Sequence, residues 1–271
     1  MTGRRIPGKG RVDTTRPVTF RFDGQRFAGF RGDTVASALL ANGVMLMGRS
    51  FKYHRPRGPV AAGSEEPNAL IGTSRGPGRF EPNTRATMQE LREGLIATSQ
   101  NRWPGLGFDI GAINDAAHKL IPAGFYYKTF MWPASFWHTV YEPVIRRAAG
   151  LGVSPTETDP DTYASRNLHV DLLVVGAGPA GLAAARAGAE AGLSVVLADE
   201  HAEAGGTLLS EPQAVIDGKP AWDWLAAELV ALKAMGVRVM TRTTAIGYYH
   251  QNLLGLVERL TDHLDAAPEG A

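Results

Sequence analysis

Three glycines with the spacing of a phosphate-binding turn, Gly176, Gly178 and Gly181, lie in the second half of the chain. In a strand–turn–helix unit the first makes the tight turn, the second lets a pyrophosphate reach the backbone, and the third lets helix and strand pack closely. The anion then lies at the helix N-terminus. Asp199 and Glu200 follow a second apolar run, where a carboxylate can bind a ribose hydroxyl. The pattern predicts a dinucleotide site.

Four further residues complete the candidate cofactor-binding set. Pro179 and Ala180 lie in the first turn of the predicted helix, where a proline is tolerated. Gly205 and Gly206 predict a second turn close to the nucleotide. FAD and NAD bind through the same pyrophosphate mechanism, so these residues leave the dinucleotide open, and the acid argues only against a 2′-phosphate. The alternative interpretation is a helix-capping glycine turn in a sheet whose site has decayed.

The surrounding elements predict a Rossmann-type α/β domain over residues 167–271. Apolar runs of strand length and a further β segment occur at residues 171–175, 193–197, 237–241 and 244–257. A helix at about 221–235 has an apolar face formed by Trp222, Leu225, Leu229 and Leu232. A doubly wound sheet needs more strands than this, so we expect a truncated domain in an N-terminal piece of a longer polypeptide.

The N-terminal part, residues 16–90, predicts an α+β module of the β-grasp type. Alternating strands flank an Asp-Gly turn at residues 23–24, and Asp33 or Thr34 caps a helix at residues 35–43. Ferredoxin-like β-grasp domains carry cluster-binding cysteines in the loop after this helix. The chain has no cysteine, so we expect the ferredoxin-like fold without an iron–sulfur cluster.

A less regular region surrounds and joins the two modules. Residues 1–15 form a basic arm, residues 70–90 predict an irregular connection ending in a strand or turn, and the capping box at Thr87 predicts a helix. Residues 91–166 predict a helical and aromatic-rich connection that ends in a linker. Eight of the seventeen residues from 125 to 141 are aromatic. We expect them to fill a groove between the domains of this chain or to face a subunit or a flavin.

Composition excludes several kinds of active site. Without cysteine the chain forms no disulfide, thiolate nucleophile or zinc ribbon. His54, His118 and His138 lack metal-ligand spacing, so we expect no metal site. For His54, a solvated position in a basic loop is favoured over a role in holding a cofactor phosphate. No nucleophile elbow indicates a hydrolase, and we name no catalytic residue.

Charge and hydropathy predict a cytoplasmic protein. Residues 1–60 carry twelve Arg and Lys against three Asp, although the net charge of the whole chain is only +1. No nucleic-acid-binding motif accompanies this basic surface, so we expect no nucleic-acid partner. No apolar run approaches the length of a membrane span, and no apolar segment typical of a signal peptide follows the N-terminal arginines. We therefore expect no membrane association.

Several unusual strings give the whole chain a family resemblance. They are Phe51-Lys-Tyr-His-Arg-Pro-Arg-Gly58, Glu66-Pro-Asn-Ala69, Gly124-Phe-Tyr-Tyr-Lys-Thr-Phe130 and the stretch from Asp199 to Leu208. With these strings the chain resembles the alpha subunits of heterotetrameric sarcosine oxidase. The resemblance implies a cysteine-free ferredoxin-like domain, then an NAD-binding Rossmann domain. It also implies a folate-binding half that is absent from this sequence.

The resemblance also implies an activity and partners. Such an enzyme demethylates sarcosine oxidatively to glycine with tetrahydrofolate and oxygen, giving methylenetetrahydrofolate and hydrogen peroxide. It implies beta, gamma and delta subunits as partners, FAD in the beta subunit, FMN at the alpha–beta interface and NAD in this chain. The fragment alone is expected to be inactive. Two alternatives stay open: a non-catalytic cofactor-binding or assembly module, and the alpha subunit of a related amine or opine dehydrogenase that binds FAD.

Overall fold

A computed structural model of the chain describes residues 4–120, 124, 130–148 and 151–266, without the side chains of Leu120 and Ala148. These residues form two compact units, one up to Asp161 and one from Thr162. None of the helices in the described ranges combines the length and the apolar composition that crossing a bilayer requires.

A mixed sheet organises the first unit. Its strands and helix up to residue 99 are β1 (Asp13–Phe22), β2 (Gln25–Arg31), α1 (Val35–Ala41), β3 (Gly48–Arg49), β4 (Pro56–Arg57), β5 (Leu70–Ser74), β6 (Phe80–Arg85) and β7 (Ile96–Ser99). The sheet has the order β2-β1-β7-β5-β6, and β7 is parallel to β1 and antiparallel to β5. The short strands β3 and β4 pair with each other in the loop after α1.

The predicted N-terminal hairpin and helix are confirmed. Alternation along β1 places Val18, Phe20 and Phe22 on one face, in an apolar cluster that includes Leu39 of α1. Thr34 caps α1, because its hydroxyl accepts the backbone N–H three residues on in a reciprocal capping box. The predicted alternation and cap therefore both form.

Two predictions between residues 70 and 95 need correction. Residues 70–90, predicted as an irregular connection ending in a strand or turn, contain the hairpin of β5 and β6, so the strand is confirmed and the irregular connection is wrong. No helix forms at Thr87, because the following backbone pairs with the segment at the start of α1: the Val35 N–H donates to the Gln89 carbonyl at 2.9 Å and the Leu91 N–H donates to the Asp33 carbonyl at 2.8 Å. Glu93 instead accepts the backbone N–H of Thr19 on β1 at 2.8 Å, which joins this segment to the sheet. The sheet thus continues through β7, past the predicted boundary at residue 90.

Short helical segments follow the sheet. They are the 3₁₀ turns Ile110–Ala112, His118–Leu120 and Ala134–Phe136, the π turn Trp137–Tyr141, and the α-helices α2 (Ile113–Ala116) and α3 (Glu142–Ala148). Residues 125–129 of the aromatic segment lie outside the described residues. Of the others, Trp132 is 84% exposed, whereas the rings of Phe130 and Tyr141 lie 5.2 Å apart. Within residues 151–170, all described, no helix or strand forms.

The second unit alternates strands and helices. Its elements are β8 (Leu172–Val175), α4 (Pro179–Glu190), β9 (Val195–Ala198), β10 (Val215–Ile216), β11 (Lys219–Pro220), α5 (Ala221–Ala234), β12 (Arg238–Met240), β13 (Thr243–Tyr248) and β14 (Leu254–Glu258). Strands β8, β9 and β12 are parallel in the order β12-β9-β8, and β13 pairs with β14 as an antiparallel hairpin. The predicted strands and the predicted second helix are confirmed.

Apolar packing fixes the ends of these strands. Leu182 on α4 and Leu232 on α5 are fully buried in one cluster with Leu197 of β9. Each such side chain contributes about 1.5–3 kcal/mol through burial. Gly188 lets α4 lie close to the sheet, since a Cβ there would approach Leu172 Cδ2 to 2.6 Å. The carboxyl ends of β8 and β9 are thereby held side by side.

Candidate dinucleotide site

The candidate site begins at the turn after β8. Gly176 adopts a φ of 100°, which residues with a side chain rarely take. Its N–H donates to the carbonyl of Ala198 at 2.7 Å, so the turn is joined to the end of β9. A Cβ on Gly181 would overlap the carbonyl oxygen of Gly176. The first and third glycines therefore serve the tight turn and the close approach of helix and strand.

The N-terminus of α4 presents backbone donors without an intrahelical partner next to this turn. Gly178 is the N-cap and Pro179 occupies the first helical position. The N–H of Leu182 donates to the Gly178 carbonyl at 2.9 Å and so begins the intrahelical hydrogen bonds. The N–H groups of Ala180 and Gly181 precede it and point out of the helix end, where the dipole favours an anion.

A second glycine turn faces the first. Gly205 donates its N–H to the carbonyl of Ala177 at 2.7 Å. Gly206 has a φ of 54°, and a Cβ there would lie 2.9 Å from Gly178 Cα. A Cβ on Gly178, by contrast, would meet nothing nearer than Gly206 Cα at 4.0 Å. The two turns form a backbone cradle with space above Gly178, which is the space that a pyrophosphate needs.

Asp199 lies inside this construction. Its side chain is only 7% exposed, and its Oδ2 accepts the Ala177 N–H at 2.6 Å. Its Oδ1 accepts the backbone N–H of His201 at 2.8 Å and lies 2.9 Å from His201 Nδ1. Both carboxylate oxygens are therefore engaged within the protein. Asp199 was the first choice for the ribose hydroxyl, but its geometry makes it a clamp between the two strand ends.

The protonation of the clamp follows from its contacts. Burial by itself would raise the pKa of Asp199, but the hydrogen bonds from His201 and from the Ala177 N–H outweigh it and hold this pKa below its ordinary value. The same hydrogen bond to Asp199 raises the pKa of His201 above its ordinary value, against the opposing effect of burial. The pair therefore favours a carboxylate facing an imidazolium.

Glu200 is the acid that stays available to a ligand. Its side chain is half-buried, and its carboxylate makes no hydrogen bond or ion pair within the part of the chain that the structure describes. It directly follows the clamp at the end of β9, where a ribose hydroxyl is bound in this kind of unit. The geometry favours Glu200 over Asp199 for that role.

Two buried carboxylates in the first unit make contacts that no sequence pattern predicted. Glu66 is 1% exposed and accepts four backbone N–H groups, from Val60 at 2.6 Å, Ala61 at 2.8 Å, Asn68 at 2.6 Å and Ala69 at 3.1 Å. Burial alone would raise the pKa of Glu66, but these bonds outweigh it and lower the pKa. Glu66 thus closes the loop in which ferredoxin-like domains bind their cluster.

Asp109 is the second of these carboxylates. It accepts the N–H groups of Trp103 and Gly111 and lies 2.6 Å from His54 Nδ1. The His54 side chain is only 14% exposed, so the predicted solvated position is wrong. Within the described ranges no three His, Asp or Glu side chains converge as a metal site requires.

Comparisons with known proteins agree with the two units. Residues 15–102 match a family described as 2Fe-2S iron-sulfur cluster binding domain, and residues 171–265 match FAD dependent oxidoreductases. The chain also shares its fold with L-proline dehydrogenase from P. horikoshii, at a TM-score of 0.54 and 16% identity over 93% of this chain and 38% of that one. The mixed α/β class is confirmed.

The family matches correct the predicted cofactors. NAD as the nucleotide of this chain gives way to FAD, because residues 171–265 match FAD dependent oxidoreductases. The expectation of a module without an iron–sulfur cluster is overturned by the match of residues 15–102 to a cluster-binding family. The sequence contains no cysteine thiolate to bind such a cluster. We therefore assign an iron–sulfur cluster no role in the reaction.

Curated relatives cover nearly the whole chain. It is 58% identical to the sarcosine oxidase subunit alpha of Rhizobium meliloti (strain 1021), over 97% of this chain and 27% of the relative. It is 36% identical to the sarcosine oxidase subunit alpha of Corynebacterium sp. (strain P-1), over 100% of this chain and 24% of the relative. The predicted class, an oxidoreductase subunit, is confirmed. The chain spans about a quarter of the length of these relatives, and it belongs to the sarcosine oxidase alpha-subunit family.

Proposed function

We propose that this chain binds FAD through the backbone cradle of its second unit, as part of an enzyme complex that oxidises sarcosine. The observation that carries the proposal is the space above Gly178, between the N-terminus of α4 and the turn at Gly206. The match of residues 171–265 to FAD dependent oxidoreductases supports FAD as the occupant. Similarity to sarcosine oxidase alpha subunits supports the substrate.

The residues of this chain then have distinct tasks. The N–H groups of Ala180 and Gly181 bind pyrophosphate oxygens, and the helix dipole favours their charge. Glu200 accepts hydrogen bonds from the ribose of the adenosine. Asp199 touches no ligand and keeps the glycine turn in register with the end of β9. The site therefore binds and orients the nucleotide.

The reaction of the whole enzyme is a further part of the proposal. Oxidation of a secondary amine removes two electrons, which bound FAD can accept. Sarcosine as donor, glycine, methylenetetrahydrofolate and hydrogen peroxide as products, and beta, gamma and delta subunits as partners are what the family resemblance implies. The described residues of this chain supply nucleotide binding, and we assign none of them a catalytic role. A role in cofactor binding fits their geometry.

Identification of the bound nucleotide tests the proposal. The complete subunit is purified together with the proteins that bind it, the complex is denatured, and the released nucleotides are identified by mass. We expect FAD in an amount that matches this subunit, and its loss from a complex that carries Gly178→Val in this chain. Because a partner can also hold FAD, the variant is the matched control. A full complement of FAD in the variant, or NAD in place of FAD, contradicts the proposal.

A further inference from the structure

The turn after β9, residues 199–201, is held by the β13–β14 hairpin. The backbone carbonyl of each of these three residues accepts a hydrogen bond from the base of that hairpin. The donors are the Thr243 N–H to Asp199 at 2.7 Å, the Arg259 Nη2 to Glu200 at 2.5 Å, and the Arg242 N–H to His201 at 2.7 Å. Three adjacent peptide units are thereby fixed, and Glu200 lies in the middle of them.

Of these three donors, Arg259 donates from its side chain, and the other two are backbone N–H groups. Its own N–H donates to the carbonyl of Arg242 at 3.0 Å, so its backbone is anchored at the hairpin base. Its guanidinium binds the carbonyl of Glu200 and leaves the Glu200 carboxylate without a hydrogen bond or ion pair among the described residues. Arginine and a carboxylate can form a strong, bidentate hydrogen-bonded pair. Here the arginine orients the peptide and leaves the acid for a ligand.

A second feature distinguishes this arginine from one that serves stability. Its Nε is buried and finds no acceptor in the described ranges. A buried charged donor without an acceptor opposes folding. Replacing Arg259 removes this unfavourable group together with the bond to Glu200, and the two effects oppose each other. A change at Arg259 is therefore expected to affect the ligand more than the fold.

We propose that Arg259 is a positioning residue of the nucleotide site, which acts through Glu200 and makes the β13–β14 hairpin a part of that site. The inference rests on the proposed function, because it concerns the acid that binds the ribose. Arg259 lies 59 residues along the chain from Glu200 and outside the glycine turns, and in this proposal it contributes to the affinity for FAD. If Arg259 acts only through Glu200, its contribution disappears when the Glu200 carboxylate is removed.

A double-mutant cycle tests this coupling. FAD is titrated calorimetrically into the complete complex, stripped of nucleotide, for wild type, Arg259→Met, Glu200→Gln and the double variant. We expect Arg259→Met to weaken FAD binding about tenfold in the wild-type background and less than about twofold in the Glu200→Gln background. Arg259→Lys restores part of the affinity. Arg238→Met, an exposed arginine on β12 of the same unit, is the control and leaves the affinity unchanged.

The outcomes separate the inference from the proposed function. Equal losses in both backgrounds, or no loss at Arg259, overturn the positioning role while FAD binding by the wild type stands. If the wild type binds no FAD, the proposed function and the inference both fail. If Arg259→Met lowers the melting temperature of the complex, the coupling is measured with Arg259→Lys in place of Arg259→Met, again with and without Glu200→Gln. An effect of Arg259→Lys that persists in Glu200→Gln overturns the inference.

Discussion

The backbone N–H of Ala177 donates to Asp199 Oδ2 at 2.6 Å, and this bond joins the glycine turn to the end of β9. Ala177 is fully buried between Gly176 and Gly178, so the bond acts on the backbone that would meet a pyrophosphate. The position of Asp199 at the strand end is the one predicted for a ribose-binding acid. Its contacts show that it joins the two strand ends, and Glu200 is the acid that we propose for the ribose.

Asp199→Asn is expected to destabilise the second unit. An amide keeps one acceptor oxygen, so its NH₂ group faces the N–H of either Ala177 or His201. Leaving one buried donor unsatisfied costs about 1–3 kcal/mol in the free energy of unfolding. Urea denaturation of the complete subunit measures this loss, and Asp217→Asn, an exposed aspartate in the same unit, is the control. Equal stability of the two variants would contradict the clamp.

The Asp199–His201 pair predicts a pH dependence with a definite sign. The hydrogen bond to Asp199 raises the pKa of His201 from 6.5. Protonated His201 therefore contributes stability that is fully present below pH 6.5 and is lost as the pH rises through its folded-state pKa. We expect the difference in melting temperature between wild type and His201→Gln to shrink over that rise. A difference that stays constant from pH 6 to well above neutrality would show that the imidazolium contributes nothing.

Local patterns predicted the elements of the site, and long-range contacts decided its details. The glycine spacing and the alternation of apolar runs depend on neighbouring residues, so β8, α4, β9 and the hairpin of β1 and β2 were predictable. The capping box at Thr87 starts no helix because the backbone of residues 89–91 pairs with residues 33–35, which are distant in the sequence. The guanidinium of Arg259 meets the Glu200 carbonyl across 59 residues, and no local pattern indicates that contact.

Glu66→Gln tests the loop closed by four backbone N–H groups. A glutamine places an NH₂ group against donors that the carboxylate now accepts, so we expect a loss of about 2–3 kcal/mol in the free energy of unfolding. Because the pKa of Glu66 is lowered, the wild-type contribution is present above the ordinary carboxyl pKa and is lost as the pH falls through the folded-state pKa. Thermal melts of Glu66→Gln beside Glu65→Gln, its exposed neighbour, measure the effect. Equal melting temperatures for Glu66→Gln and Glu65→Gln would contradict the expected loss of stability.

Gly111→Ala tests the buried pair of His54 and Asp109. A Cβ at position 111 would overlap the imidazole ring of His54 and displace it from Asp109. The loss of this charged hydrogen bond is expected to cost about 1.5–3 kcal/mol. Gly107→Ala is a matched control, because a Cβ there meets no atom within 4 Å. Chemical denaturation compares the two, and an unchanged midpoint for Gly111→Ala would show that His54 is not held in place.

The glycines of the site were predictable from the sequence, whereas the role of each acid was not. Gly176, Gly178, Gly181, Gly205 and Gly206 come together in one cradle, because their task depends on the backbone alone. The choice between Asp199 and Glu200 depends on which way each side chain turns at the end of β9. That direction is set by the Ala177 N–H and by His201, two partners that strand register does not reveal.

The most direct test of the central claim is calorimetric titration of FAD into the nucleotide-stripped complex with wild-type chain and with Gly178→Ala. The structure leaves space for this methyl group. The free energy of unfolding of the unliganded variant should therefore fall by only about 1 kcal/mol, the cost of replacing a glycine N-cap. The methyl group occupies the space where the pyrophosphate must meet the backbone, so we predict that FAD binding at this site weakens by about a hundredfold or more. Wild-type affinity for FAD in a folded Gly178→Ala complex would contradict the assignment of this cradle.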